Sequence, residues 1–302
     1  VDEVTLLQIA AAFLLNLGLC WLAGSWCARR WLRAGGAGQL QAEDGLRRMD
    51  LLAAAVAAAA SVAALLAATA VMGGVGLREA CPMFWTMLTS TDYGRAGMVT
   101  VLAMLTLLGV RLHGGSGTGS SLAVLLCGVV FVLTRASMGH AGEEGYWTVV
   151  LAAEAIHLGA VAVWTGAVLV SGGLVLDGAR LARLGLHDTD RYLDLMSQAA
   201  LVAVIAIAAT GIYNAWQRLG SPVHLVDTAY GVTLQVKAAL VVVAIALGGY
   251  NKFIGLPGAA RSAQGLQRVR LVLRLECVVL IGALAAAAAL VSQQPPAAAS
   301  IL

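Results

Sequence analysis

Long apolar stretches separated by short polar ones run the length of the chain. Eight of them, at 4–28, 50–73, 95–112, 120–136, 147–176, 198–217, 230–252 and 270–292, carry few charged interruptions. A bilayer core of ~30 Å takes about 20 helical residues to cross. Backbone inside lipid must satisfy its own hydrogen bonds, so each stretch predicts a membrane-spanning α-helix. The 147–176 stretch exceeds the bilayer thickness and predicts a helix that tilts or projects. The expected fold is therefore all-α, a polytopic membrane helical bundle with eight transmembrane helices, occupying residues 1–302 as one transmembrane domain. Glycine and alanine crowd the helix faces, which suits close helix–helix approach in lipid.

Composition sharpens this reading. The 302 residues are 60% hydrophobic and 12% charged, with a mean hydropathy of +0.85. A soluble domain carries about 25% charged residues, so soluble, disordered, collagenous and disulfide-scaffold classes are excluded. A net charge of +3 is too slight to argue for nucleic acid. The placement of the basic residues says more than their number. Loops 29–49, 111–119, 177–197 and 252–270 hold thirteen Lys and Arg, against four (Arg78, Arg95, Arg135 and Arg218) on the other side. The positive-inside rule then puts both termini outside the cytoplasm, which in a bacterial envelope means the periplasm. The first span is expected to be retained rather than cleaved. Its leading charges are acidic (Asp2, Glu3), and Arg29, Arg30 and Arg33 follow it, the reverse of a secretory signal.

Two stretches echo each other at an offset near 140. Cys81-Pro82-Met83 leading to Thr91-Asp92-Tyr93-Gly94 opens the third span; Ser221-Pro222-Val223 leading to Thr228-Ala229-Tyr230-Gly231 opens the seventh. Asn16-Leu17-Gly18 with Trp21 likewise resembles His157-Leu158-Gly159 with Trp164. Two readings stand: chance similarity between Ala/Gly-rich helices, or a 4+4 duplication with halves 1–140 and 141–302. Four helices per half would make it a parallel repeat.

Ionisable groups inside spans are costly, so each needs a partner or a purpose. They are Glu154 and His157 in the fifth span, Lys237 in the seventh, and Arg274 and Glu276 in the eighth. Arg274 can snorkel to the nearer surface; the partner of Glu276 is not legible. Glu154 and His157 are three residues apart and share a helix face. Counted from Tyr146-Trp147, they lie ~10 and ~15 Å deep. Glu-x-x-His is the spacing by which helical bundles bind metals. A Glu154–Lys237 salt bridge explains the pair equally well, because Lys237 lies at the depth of Glu154.

The outer side favours metal. It holds Cys81, Met83 and Met87 in one loop, Met138 and His140 in the next, and His224 in a third. Thioether, thiolate and imidazole suit copper better than Mg²⁺ or Ca²⁺. Neutral imidazole and thioether favour Cu(I), while a carboxylate leaves room for Cu(II). Cys20, Cys27, Cys127 and Cys277 lie within spans and read as packing, and His113 and His187 as solvated loop residues. No phosphate-binding G-x-x-x-x-G-K-[ST], G-x-S-x-G or H-E-x-x-H occurs. The motifs give no sign of a nucleotide-driven engine or a hydrolase.

Met138-Gly139-His140-Ala141, followed by Glu154-Ala155-Ile156-His157-Leu158 and Val163-Trp164-Thr165-Gly166, resembles the copper resistance protein D family of bacterial inner membranes. Thr210-Gly211-Ile212-Tyr213-Asn214-Ala215-Trp216, Thr228 to Lys237, and Asn251-Lys252-Phe253 to Pro257 are similar to that family's C-terminal signature. The resemblance spans residues 137–257. It implies an eight-span inner-membrane protein that moves copper from periplasm toward cytoplasm, beside a small periplasmic copper carrier protein. It implies His140 and His157 as functional positions, with Glu154 in the acidic slot before the helix histidine. Cys81, Met83, Met87, Met138 and His224 rest on softness and location.

Three readings follow. The first is a copper-handling protein with outer Met and His residues feeding a His157/Glu154 site in the membrane. The second is a membrane redox protein binding haem or copper for electron transfer, although a b-type bundle usually offers more intramembrane histidines. The third is a copper-free scaffold whose polar groups join helices.

Overall fold

The computed structural model describes residues 2–32, 37–113, 118–139, 142, 145, 147–176, 186–259 and 262–299. Eight helices among them are long and apolar enough to cross a membrane. They are α1 (Glu3–Leu32), α2 (Ala37–Gly73), α3 (Asp92–Leu112), α4 (Thr118–Ser137), α5 (Val149–Val170), α6 (Leu186–Leu219), α7 (Ala229–Tyr250) and α8 (Ala263–Val291). The protein is an all-α polytopic bundle, and every expected span is present.

Four of the helix starts are written plainly in the sequence. The side chains of Thr91, Thr148, Thr228 and Ser262 accept hydrogen bonds from the backbone N–H of Gly94, Leu151, Gly231 and Gly265. Each satisfies one of the donors that a helix N-terminus leaves open. The sequence echo has the same local cause twice. At Thr91-to-Gly94 and at Thr228-to-Gly231, a short helix (Phe84–Ser90 or His224–Asp227) leads into the capping threonine. The glycine then lies directly on that helix's backbone: a Cβ on Gly94 would overlap Met87 and Leu88, and one on Gly231 would overlap His224 and Leu225.

α2, α6 and α8 begin at Ala37, Leu186 and Ala263, earlier than the hydropathy pattern predicts. α6 begins at Leu186 rather than near 198, because its polar-looking first turns are anchored in the core. Tyr192 is 1% exposed, meets Trp31 edge-to-face at 5.6 Å between ring centroids, and shares a 2.8 Å hydrogen bond with Ser171. The fifth and seventh spans do not end as regular helix; each continues through a π-helical turn, Ser171–Val175 and Asn251–Gly255.

The centre of the bundle is built from α1 and α5. α5 packs against α1, α4, α6 and α8, and its most apolar stretch is 61% buried, against 11% for that of α7. The two central helices cross with backbones in direct contact at Gly24 and Gly166, where a Cβ on either would overlap the other chain segment. Glycine is required there because close approach in lipid is gained through van der Waals contact, which a side chain would hold apart. Trp85, Trp147 and Trp216 are 70%, 100% and 69% exposed at one end of the bundle, as expected of an aromatic belt at the membrane interface.

A buried charge cluster ties α1, α2 and α3 at the other end. Asp50, 0% exposed, takes Arg29 Nη1 at 2.6 Å and the Trp21 indole N–H at 3.2 Å. Arg111 Nε stands 3.1 Å from the same carboxylate, as an ion pair without hydrogen-bond alignment. Two of the thirteen basic residues on that side are thus structural.

Candidate metal centre

α5 and α6 run antiparallel and meet through matched polar positions. On α5 these are Glu154 and His157, one turn apart; on α6 they are Thr210, Asn214 and Arg218, spaced at four residues and therefore on one face. The two ladders pair in opposite order, deep with deep and shallow with shallow. His157 Nδ1 lies 3.0 Å from Thr210 Oγ1, while Asn214 Nδ2 and Arg218 Nη2 donate to Glu154 Oε2 at 2.9 and 2.6 Å.

The tautomer of His157 follows from these contacts. The single hydroxyl proton of Thr210 is donated to the Ala206 carbonyl at 2.6 Å, so Oγ1 receives the Nδ1–H of the imidazole. Nε2 is then left with its lone pair, the form in which a neutral histidine binds a metal. The ring is 8% exposed, and Gly211 gives it room, since a Cβ there would stand 3.3 Å from Cε1. Glu154 and Arg218 are 14% and 30% exposed, placing their ion pair nearer the membrane surface than the imidazole. Both hydrogen bonds to Glu154 fall on Oε2, and Oε1 has no protein donor among the described residues.

The salt-bridge partner of Glu154 is therefore Arg218, where the depth estimate pointed to Lys237. Lys237 interacts with Glu154 and His157 through space but forms no salt bridge among the described residues. Arg218 falls at the very end of its apolar stretch and reads as a loop residue, so depth alone points to Lys237. Its side chain turns back along α6 toward the membrane interior, a direction that residue spacing does not reveal. Tyr230 lies against the same guanidinium.

The remaining expected ligands are spread over the same end of the bundle. Met87 is buried with Leu65 and Leu88, and Met138 packs against that cluster. Met83 is 44% exposed beside Gly73. The Cys81 thiol donates to the Leu77 carbonyl at 3.4 Å, and His224 Nδ1 is 3.5 Å from Asp227. His140 lies outside the described residues, as does Tyr146. Among the described residues, no three His, Cys, Asp or Glu side chains gather into one cluster. What the structure brings together is the Glu154–His157 pair and its partners on α6. Thr210 and Asn214 both lie in the 210–216 motif and were legible as part of that signature, although their roles were not.

Glu276, whose partner the sequence leaves open, receives the Trp164 indole N–H at 3.2 Å and is 2% exposed. His157, Trp164 and Ser171 repeat at seven-residue intervals and so lie along one stripe of α5 and the π turn that follows it. Each bonds to another helix: Thr210, Glu276 and Tyr192.

Comparison with known proteins identifies the family of the chain. The family described as "Copper resistance protein D-like, N-terminal domain" matches residues 2–149, and the family "Copper resistance protein D" matches residues 190–290. The copper resistance protein D of Pseudomonas syringae pv. tomato is 26% identical over 236 residues, covering 73% of this chain and 75% of that protein. No solved structure matches. With both matched regions falling on the eight-span bundle, this membrane protein belongs to the copper resistance protein D family.

Proposed function

We propose that the protein moves copper ions across a bacterial inner membrane, from periplasm toward cytoplasm, with both termini in the periplasm. The observation that carries the reading is the membrane-embedded His157. Its Nδ1 is committed to Thr210, its Nε2 is free to bind a soft or borderline ion, and a carboxylate lies one turn above it on the same helix. Copper is the cargo, received from a small periplasmic carrier protein and passed inward. Met138 and His140, then Met83, Met87, Cys81 and His224, supply soft donors around the entrance. The thioethers and imidazoles suit Cu(I), and Glu154 admits Cu(II).

Arg218 gives the site a simple gate. With no metal present its guanidinium neutralises Glu154. A copper cation at His157 would repel that guanidinium and compete for the same carboxylate, so filling the site favours release of Arg218 toward the interface, where a long basic side chain can snorkel. Removal of His157 tests the reading. Purified His157→Ala protein is expected to bind one copper fewer than the wild type and to lose copper uptake in reconstituted vesicles, with its helical content unchanged. Wild-type stoichiometry and uptake in that variant would exclude the intramembrane site.

A further inference from the structure

The polar stripe of α5 continues past the candidate copper site to a carboxyl group that this site does not use. Trp164 lies seven residues beyond His157, so Glu276 sits ~10 Å further along the bundle axis. α7 gives the same level independently. Lys237, near Glu154, and Gly248, whose missing Cβ would stand 3.3 Å from Glu276 Oε1, are eleven residues or ~16 Å apart.

The surroundings of Glu276 fit a neutral acid. Its carboxyl is 2% exposed, its one hydrogen bond comes from the uncharged Trp164 indole, and no basic side chain forms a salt bridge with it among the described residues. α5 presents Trp164 to it and α7 presents the bare backbone of Gly248. On its own helix the neighbouring Cys277 thiol donates to the Val168 carbonyl, and Arg274 lies two residues back. Lys252 is the charged residue of the adjacent π turn. An ionised carboxylate with one neutral donor in an apolar interior is far costlier than the protonated acid.

A second observation supplies the route. Asn251, three residues beyond Gly248 in the π turn that follows α7, is 5% exposed, and both its Oδ1 and Nδ2 are buried without a hydrogen-bond partner among the described residues. Buried polar atoms of this kind are normally satisfied by water. Asn251 also opens the π turn that follows α7, as Ser171 opens the one that follows α5; such turns recur at functional sites.

We propose that Glu276 is a proton-binding site. It is a carboxylic acid in the metal-free bundle, exchanging its proton with water along Asn251 and releasing it when a copper cation occupies His157. With Cu(I) the charge balances: one proton leaves Glu276 for water as one positive charge enters the membrane, whereas Cu(II) would bring one positive charge more than the proton removes. The exchange rests on the proposed copper site, whereas the resting proton does not.

Infrared spectroscopy of the purified full-length protein tests both parts. Metal-free wild type is expected to show a carboxylic-acid carbonyl band that Glu276→Gln removes. Trp164→Phe should retain that band but shift it to higher frequency, because the carbonyl loses its donor. Copper should abolish the band in the wild type, while Glu276→Gln binds copper with unchanged stoichiometry. The absence of a band, or one that survives in Glu276→Gln, overturns the protonated state. A band that persists with copper bound overturns the exchange. Failure of Cu(I) and Cu(II) to bind the wild type would overturn the copper reading instead, and the metal-free band would still decide whether Glu276 holds a proton.

Discussion

Replacing Arg218 by alanine strands the Glu154 carboxylate at the α5–α6 interface, and the cost can be worked from the structure. The ion pair closes at 2.6 Å, with Glu154 14% and Arg218 30% exposed. At charge centres ~4 Å apart and an effective dielectric constant near 20, the attraction is worth about 4 kcal/mol. The partial exposure of Arg218 argues for discounting this toward about 2–3 kcal/mol. Asn214 still donates to the same oxygen at 2.9 Å, which keeps the loss from rising higher. Glu154→Gln should cost less, about 1 kcal/mol, because the freed arginine can snorkel to the interface. Once Glu154 is already glutamine, removing Arg218 strands no charge, so the double variant should be destabilised by about 2 kcal/mol less than the sum of the single losses. Unfolding the four proteins with SDS in mixed micelles, followed by circular dichroism, measures the cycle. Additivity within about 0.5 kcal/mol, the behaviour of independent sites, would refute the pairing.

Three further outcomes are expected. Gly166→Ala forces the α1 and α5 backbones apart at their crossing and should destabilise by about 3 kcal/mol. Gly159→Ala, on the same helix with nothing within 4 Å of its would-be Cβ, should be neutral or slightly stabilising; equal effects in the same SDS assay would refute the crossing. Thr210→Val keeps the shape around His157 but removes its acceptor, and copper affinity should fall about 10–100-fold, read by competition with a copper chelator. A reporter active only in the cytoplasm, fused after Leu302, should stay silent; activity would reverse the orientation drawn from the loop charges.

The fold was legible because lipid imposes one rule on every span: about 20 apolar residues in a helix. The departures come where polar residues are buried. The first turns of α6 look like loop until Tyr192 is seen against Trp31 and Ser171. Glu154 and His157 stood out because charge inside a span is rare, and their shared face followed from their spacing. Their partners did not follow, since Thr210 and Asn214 are neutral and frequent in membrane helices, and Arg218 lies at a span end where basic residues are ordinary. The Asp50 cluster was hidden in the same way, with Asp50, Arg29 and Arg111 all at span ends. Pairing across helices depends on how the helices rotate about their axes, and residue spacing within one helix does not fix that.

The claim at the centre of this account is that His157 holds copper within the membrane, and X-ray absorption at the copper edge tests it most directly. Purified protein loaded with one equivalent of copper should show imidazole scattering that His157→Ala diminishes and that Thr210→Val weakens through lower occupancy. Imidazole scattering of undiminished amplitude in His157→Ala would place the ion elsewhere and contradict the account.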